Sequence, residues 1–129
     1  MKELNLIDAA RKARRHAVAP YSKFKVGAAL EAVDGAVYSG CNVENASYGL
    51  TICAERVALV KALSEGARSF RAIAVVTAAR KITPPCGACR QLLWEYCGDI
   101  PVHMANLIGK QETQKLGELL PRAFDRRNL

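Results

Sequence analysis

The chain has 129 residues, half of them apolar, 24% charged and 6% aromatic, which fits one compact domain and excludes an intrinsically disordered chain. Its five cysteines (Cys41, Cys53, Cys86, Cys89 and Cys97) are odd in number and fit poorly with a closed set of disulfides; a chain of this length buries a core without them. The net charge of +7 admits either a polyanionic partner or a soluble, self-repelling surface.

The first segment, with Leu6, Ala10, Ala13 and Ala17 at helical spacing, predicts an amphipathic helix stopped near Pro20. Phe24 to Val33 and Ala36 to Val43 read as extended segments joined at Asp34-Gly35, an antiparallel hairpin. Thr51 is the expected N-cap of a helix running through Cys53, Val57, Val60 and Leu63 to Gly66. Arg71 to Thr77 is nearly all apolar, the pattern of a strand covered on both faces. Pro84-Pro85 opens a third helix that ends at Gly98, Ile100 to Leu107 reads as a strand, and Leu116 to Leu120 as a short helix. This order predicts an α/β fold in which helices cover both faces of a mixed sheet, residues 1–129 forming a single domain. Asp8, Arg11, Lys12, Arg14 and Arg15 break up any secretory signal, and the apolar runs are too short to cross a membrane, so the expected compartment is the cytoplasm.

Cysteine stands at two predicted helix starts, Thr51-Ile52-Cys53-Ala54-Glu55-Arg56 and Pro85-Cys86-Gly87-Ala88-Cys89. The unpaired N–H groups and positive dipole end of a helix favour the thiolate, which is the form that binds a metal. Cys86 and Cys89, three apart, share one helix face. Three readings compete: ordinary half-buried cysteines, a thioredoxin-like redox pair, or Zn²⁺ held by Cys53, Cys86 and Cys89 with a fourth position open to water. A redox pair gives no role to Cys53-Ala54-Glu55. A closed structural zinc site would need Cys41, Cys97, His16 or His103, none of them at a usual spacing. Cys41 and Cys97 are expected to be unpaired, buried and inert, His16 to lie on the first helix and His103 inside a strand. Glu55, two residues after a ligand, is placed to take a proton from the water and return it to a substrate nitrogen.

A carboxylate two residues after a ligand, followed downstream by Pro-Cys-x-x-Cys, is the pattern of the zinc deaminases. The chain resembles the small, three-cysteine cytidine deaminases through Ala19-Pro-Tyr-Ser-Lys-Phe24-Lys-Val-Gly-Ala-Ala29, Gly40-Cys-Asn42-Val-Glu44-Asn-Ala-Ser-Tyr48-Gly49, Cys53-Ala-Glu55-Arg56, Pro85-Cys86-Gly-Ala-Cys89-Arg-Gln91 and Gly117-Glu-Leu-Leu-Pro121. That resemblance implies a three-layer α/β/α fold with a five-stranded sheet and one Zn²⁺ per chain. It implies a homotetramer with shared active sites and conversion of cytidine and 2′-deoxycytidine to uridine and 2′-deoxyuridine. It implies Phe24 against the pyrimidine, Asn42 and Glu44 on the ribose 3′-hydroxyl, the Ala54 amide on the base carbonyl, and Tyr48 and Phe124 reaching a neighbouring subunit's site. By the same match Arg56 is hydrogen-bonded to a ligand sulfur. Three thiolates and Zn²⁺ sum to a negative charge, which a cation at Arg56 would offset.

Deaminases of a related aminopyrimidine nucleoside or of polymeric RNA or DNA are the rivals in chemistry, and a redox or structural zinc module the rival in class. The low aromatic content and the carboxylate of Glu44, which would repel a 3′-phosphate, argue against a nucleic-acid substrate.

Overall fold

A computed structural model describes residues 2–129, with side chains from Asn5 onward. The elements are helix α1 (Lys2–Arg14), strands β1 (Val26–Ala32) and β2 (Val37–Cys41), helix α2 (Ala54–Ser64), strand β3 (Phe70–Thr77), helix α3 (Gly87–Cys97), strands β4 (Pro101–Ala105) and β5 (Gln111–Lys115), and the single-turn helix α4 (Leu116–Leu119). The sheet runs β2-β1-β3-β4-β5, antiparallel throughout except for the parallel pair β3 and β4, which α3 connects. A mixed five-stranded sheet is thus present, as expected.

Helices cover both faces. Leu6, Ile7 and Ala10 of α1 pack on Ala29, Ala72, Ala74, Val76 and Ala105. On the other face Ala54, Ala58, Leu59 and Ala62 of α2 and Leu93 of α3 pack with Ala28, Leu30, Ile73, Val102 and Met104. The near-continuous apolar run of β3 follows from this double burial.

Small residues let the layers approach. A Cβ on Gly27 would stand 1.9 Å from the Ala10 carbonyl oxygen, so α1 lies directly on β1. A Cβ on Gly40 would stand 2.7 Å from Ala58 N and 2.8 Å from Ala54 O, so α2 lies as closely on β2. Backbone cannot yield as a side chain can, and overpacking of this kind costs about 1–3 kcal/mol. Gly40→Ala is therefore expected to lower Tm by roughly 5–10 °C. A thermal melt superimposable on the parent's would contradict this account of how α2 is seated.

Four expectations are corrected. The first helix ends at Arg14, and Arg15, His16 and Ala17 continue as turns bonded three residues back, so His16 lies beyond the helix. Cys53, not Thr51, is the N-cap of α2 and makes no side-chain cap bond; Thr51 Oγ1 accepts instead from Asn45 N at 3.1 Å. The fifth strand, Gln111–Lys115, lies where no strand was expected, because all five of its residues are exposed and polar, leaving no alternation to read. Cys41 and Cys97 are half-buried rather than buried; both are free, and burial raises both thiols, that of Cys97 to about 12. Gly66 and Gly98, both at positive φ, stop α2 and α3 as expected. No described helix is long and apolar enough to cross a membrane.

Candidate metal centre and substrate cavity

The N-termini of α2 and α3 converge where β1 begins and β3 ends, since Val26 pairs with Thr77 across the sheet. Beyond the carboxyl end of a strand entering a parallel crossover is where α/β sheets open a crevice. A cavity of about 250 Å³ lies here, near the lower end of the range for small-molecule sites. Ser22, Phe24, Val26, Asn42, Glu44, Thr51, Cys53, Ala54, Glu55, Val75, Thr83, Pro84 and Cys86 line it.

At its floor the sulfurs of Cys53, Cys86 and Cys89 all lie within 4.8 Å of one another, and Cys53 Sγ is 3.7 Å from Cys86 Sγ. Sulfur ligands about 2.3 Å from a tetrahedral Zn²⁺ stand about 3.8 Å apart, so the donor set fits the ion in both chemistry and spacing. Cys53 and Cys86 are the N-caps of their helices, with Cys89 buried one turn into α3. Among the described residues no fourth His, Cys, Asp or Glu joins the cluster, which leaves Cys41, Cys97, His16 and His103 outside it. His103 instead lies in β4, its Nδ1 2.8 Å from Thr113 Oγ1. The sulfurs compete for protons: hydrogen bonding from Cys89, and then Cys86 and the Arg56 charge, hold the Cys53 thiol down at about 6 against burial. Donation to Cys53, and then burial, push Cys89 up. A divalent cation lets all three ionise together.

Glu55 is 5% exposed, and burial first, then the Cys53 charge, pushes its carboxyl up to about 7. It lies in the first turn of α2 and lines the cavity beside Cys53 and Cys86. Ala54, the first residue of α2, has a backbone N–H of the kind that lacks an intrahelical partner. Arg56 Nη2 donates to Thr51 O at 3.0 Å, while Nε is buried without an acceptor among the described residues. The expected bond to a ligand sulfur is therefore not formed in this structure, and Arg56 acts on Cys53 through its charge. An unsatisfied buried donor costs about 1–3 kcal/mol, so its retention beside the thiols fits a cluster that carries negative charge.

Asn42 and Glu44 both face the cavity, because pairing of Val43 with Val18 and Ile52 keeps the segment extended. Each is occupied with the loop that carries Phe24. Asn42 Nδ2 donates to Phe24 O at 2.8 Å and its Oδ1 accepts from Val26 N at 2.9 Å. Glu44 Oε1 accepts from Tyr21 N and Ser22 N at 3.0 and 3.1 Å. Phe24 is 40% exposed on the cavity wall. Tyr48 and Phe124 are not among the lining residues: they are 70% and 60% exposed, Tyr48 edge-on to Tyr21 and Phe124 on a segment whose carbonyl Gln91 Nε2 holds at 2.8 Å. Sequence reasoning did not single out Ser22, Thr83 or Val75. Ser22 sat in plain view within the Pro-Tyr-Ser-Lys-Phe run, whereas Thr83 lies in an aperiodic loop and Val75 reads as ordinary core.

Thiols on converging helix starts, with a buried carboxyl under a small-molecule cavity, fit the class of metal-dependent hydrolases on an α/β/α scaffold. Residues 1–104 match the family model of the cytidine and deoxycytidylate deaminase zinc-binding region. The chain belongs to this family of deaminases. It is 52% identical over 125 residues to a cytidine deaminase of Sporosarcina psychrophila, covering 96% of this chain and 92% of the relative. It is 55% identical over 120 residues to that of Halalkalibacterium halodurans, covering 92% and 91%. A crystal structure of cytidine deaminase from Burkholderia pseudomallei superimposes with a TM-score of 0.92 at 52% identity, over 96% of this chain and 100% of that one.

Proposed function

We propose that the chain hydrolyses cytidine and 2′-deoxycytidine to uridine and 2′-deoxyuridine with release of ammonia, a step of pyrimidine salvage in the cytoplasm. The observation that carries this reading is the placement of Glu55, buried beside three mutually close cysteine sulfurs and open to one small cavity. Cys53, Cys86 and Cys89 would hold one Zn²⁺ per chain, which when bound supplies the Lewis acidity that makes water a nucleophile at neutral pH.

The chain's own groups do the rest. Glu55 accepts the proton of the water that attacks C4 and delivers it to N3; it then takes the proton of the new C4 hydroxyl and passes it to the amino group, so that the C4–N bond breaks, ammonia leaves and the C4 carbonyl forms. Phe24 gives the pyrimidine a flat apolar wall. The Ala54 amide donates to the base carbonyl, and Asn42 and Glu44 receive the ribose 3′-hydroxyl. Arg56 draws negative charge from the sulfurs. Residues 1–129 work as one domain within a homotetramer, in which the exposed rings of Tyr48 and Phe124 complete a neighbouring subunit's site.

Glu44 marks the substrate as a free nucleoside. Hydrogen bonds from Ser22 and Tyr21 hold its carboxyl below the usual range, so it is anionic at neutral pH and repels a 3′-phosphate. Chromatography of reactions with cytidine, 2′-deoxycytidine and a cytosine-containing oligonucleotide tests this. Both nucleosides are expected to turn over and the oligonucleotide to remain intact; oligonucleotide deamination at a comparable rate would overturn the assignment.

A further inference from the structure

We propose that Ser22 is a positioning residue that sets how the cavity recognises the sugar, by fixing both the Glu44 carboxylate and the loop that carries Phe24. The inference rests on the reading of Glu44 as the contact to the 3′-hydroxyl. Ser22 itself lines the cavity. Its hydroxyl accepts from Phe24 N at 3.0 Å and donates to Glu44 Oε2, so one side chain joins the base wall to the sugar-facing carboxylate.

The loop needs such a device. Lys23 has φ of 62°, a left-handed conformation that a residue with a Cβ adopts at a cost, and such strain persists only where the surroundings over-determine it. Here Lys23 N donates to Ala19 O, Tyr21 N and Ser22 N donate to Glu44, and Asn42 Nδ2 donates to Phe24 O. Ser22 Oγ is the one side-chain atom of the loop that bonds both to the carboxylate and to the Phe24 amide.

An ionised carboxylate offers about four acceptor positions, and Tyr21 N, Ser22 N and Ser22 Oγ take three. The geometry leaves one lone pair for a substrate hydroxyl and fixes its direction. Without the serine hydroxyl the carboxylate is free to turn, and a sugar hydroxyl must then bind to a group that is no longer pre-oriented.

Steady-state kinetics on the holoenzyme with cytidine and with 3′-deoxycytidine, which lacks only the 3′-hydroxyl, provides the test. In Ser22→Ala, KM for cytidine is expected to rise roughly tenfold with kcat within about twofold, as loss of a charge-assisted hydrogen bond predicts, while kcat/KM for 3′-deoxycytidine, which feels only the change in the Phe24 loop that Asn42 also holds, falls by no more than about threefold. Ser22→Thr, which keeps the hydroxyl, is expected to restore the cytidine KM. Equal losses on both nucleosides, or an unchanged cytidine KM in Ser22→Ala, would overturn the role of Ser22. Glu44→Gln separates the two levels: if it leaves discrimination between the two nucleosides intact, the sugar reading of Glu44 itself is wrong. If it abolishes discrimination while Ser22→Ala does not, only the role of Ser22 is overturned.

Discussion

Glu55→Gln is expected to lose at least a thousandfold in kcat on cytidine while retaining its zinc. The substitution keeps shape and burial but removes the group that accepts and returns the proton, and general acid–base catalysis is commonly worth about 10²–10⁴-fold. In the proposed mechanism one carboxyl serves several transfers, at N3 and at the leaving amino group, so the upper part of that range is expected. Glu55 lines the cavity next to two of the sulfurs without being one of the three clustered ligand groups, so metal content is expected to stay at the parental level. Near-normal turnover by this variant would remove Glu55 from the chemistry. Parental folding with lost zinc would instead make it a determinant of the metal site.

The second large effect concerns the cysteines, which the structure divides into three and two. Cys89→Ser replaces a buried ligand with one that holds zinc poorly, and is expected to weaken retention by more than the 10–100-fold typical of groups behind the ligands. Activity should fall with metal content. Cys41→Ser and Cys97→Ser should leave both unchanged, because neither thiol is in the cluster and burial raises both above the range in which thiolates form at neutral pH. Zinc content after dialysis against a chelator, measured for all three variants, decides the matter. Loss of zinc from Cys97→Ser, or its full retention in Cys89→Ser, would contradict the assignment of ligands.

The site was legible where chemistry constrains residue type and spacing together. Cys86 and Cys89, three apart at a helix start, and Glu55, two residues after Cys53, imply a shared metal and a proton carrier before any fold is known. The close approach of Cys53 to Cys86 across 33 residues is a tertiary fact that only the converging helices supply. Arg56 shows the limit of matching a pattern: the residue is in place, yet its guanidinium bonds the Thr51 carbonyl because that acceptor lies within reach of the same turn. Asn42 and Glu44, two residues apart on an extended segment, both line the cavity. Their engagement with the Phe24 loop was not readable, since it depends on a left-handed Lys23 that no propensity favours.

The fold followed the same division. Glycine stops at Gly66 and Gly98 and the Asp34-Gly35 turn are local and were read from local chemistry. β5 was missed because an exposed edge strand of polar residues has its pairing dictated by β4 and not by its own pattern. The cap of α2 moved from Thr51 to Cys53 because the Thr51 hydroxyl is drawn to the backbone of Asn45. That displacement matters for function: the cap residue Cys53 makes no side-chain cap bond, and the first two residues of α2, Ala54 and Glu55, line the cavity.

The net charge of +7 has no focus at the cavity, whose lining includes two carboxylates and no lysine or arginine. The basic residues at the end of α1, Arg11, Lys12 and Arg14, lie on a helix that packs against the opposite face of the sheet from α2 and α3.

The most direct test of the central claim combines metal analysis with an optical assay on one preparation. The purified chain is expected to contain one zinc per polypeptide and to deplete the near-ultraviolet absorbance of added cytidine as uridine forms, with both properties lost together on chelation and regained together on adding Zn²⁺. Stoichiometric zinc with no change in cytidine absorbance, or deamination that persists in the chelated protein, would contradict it.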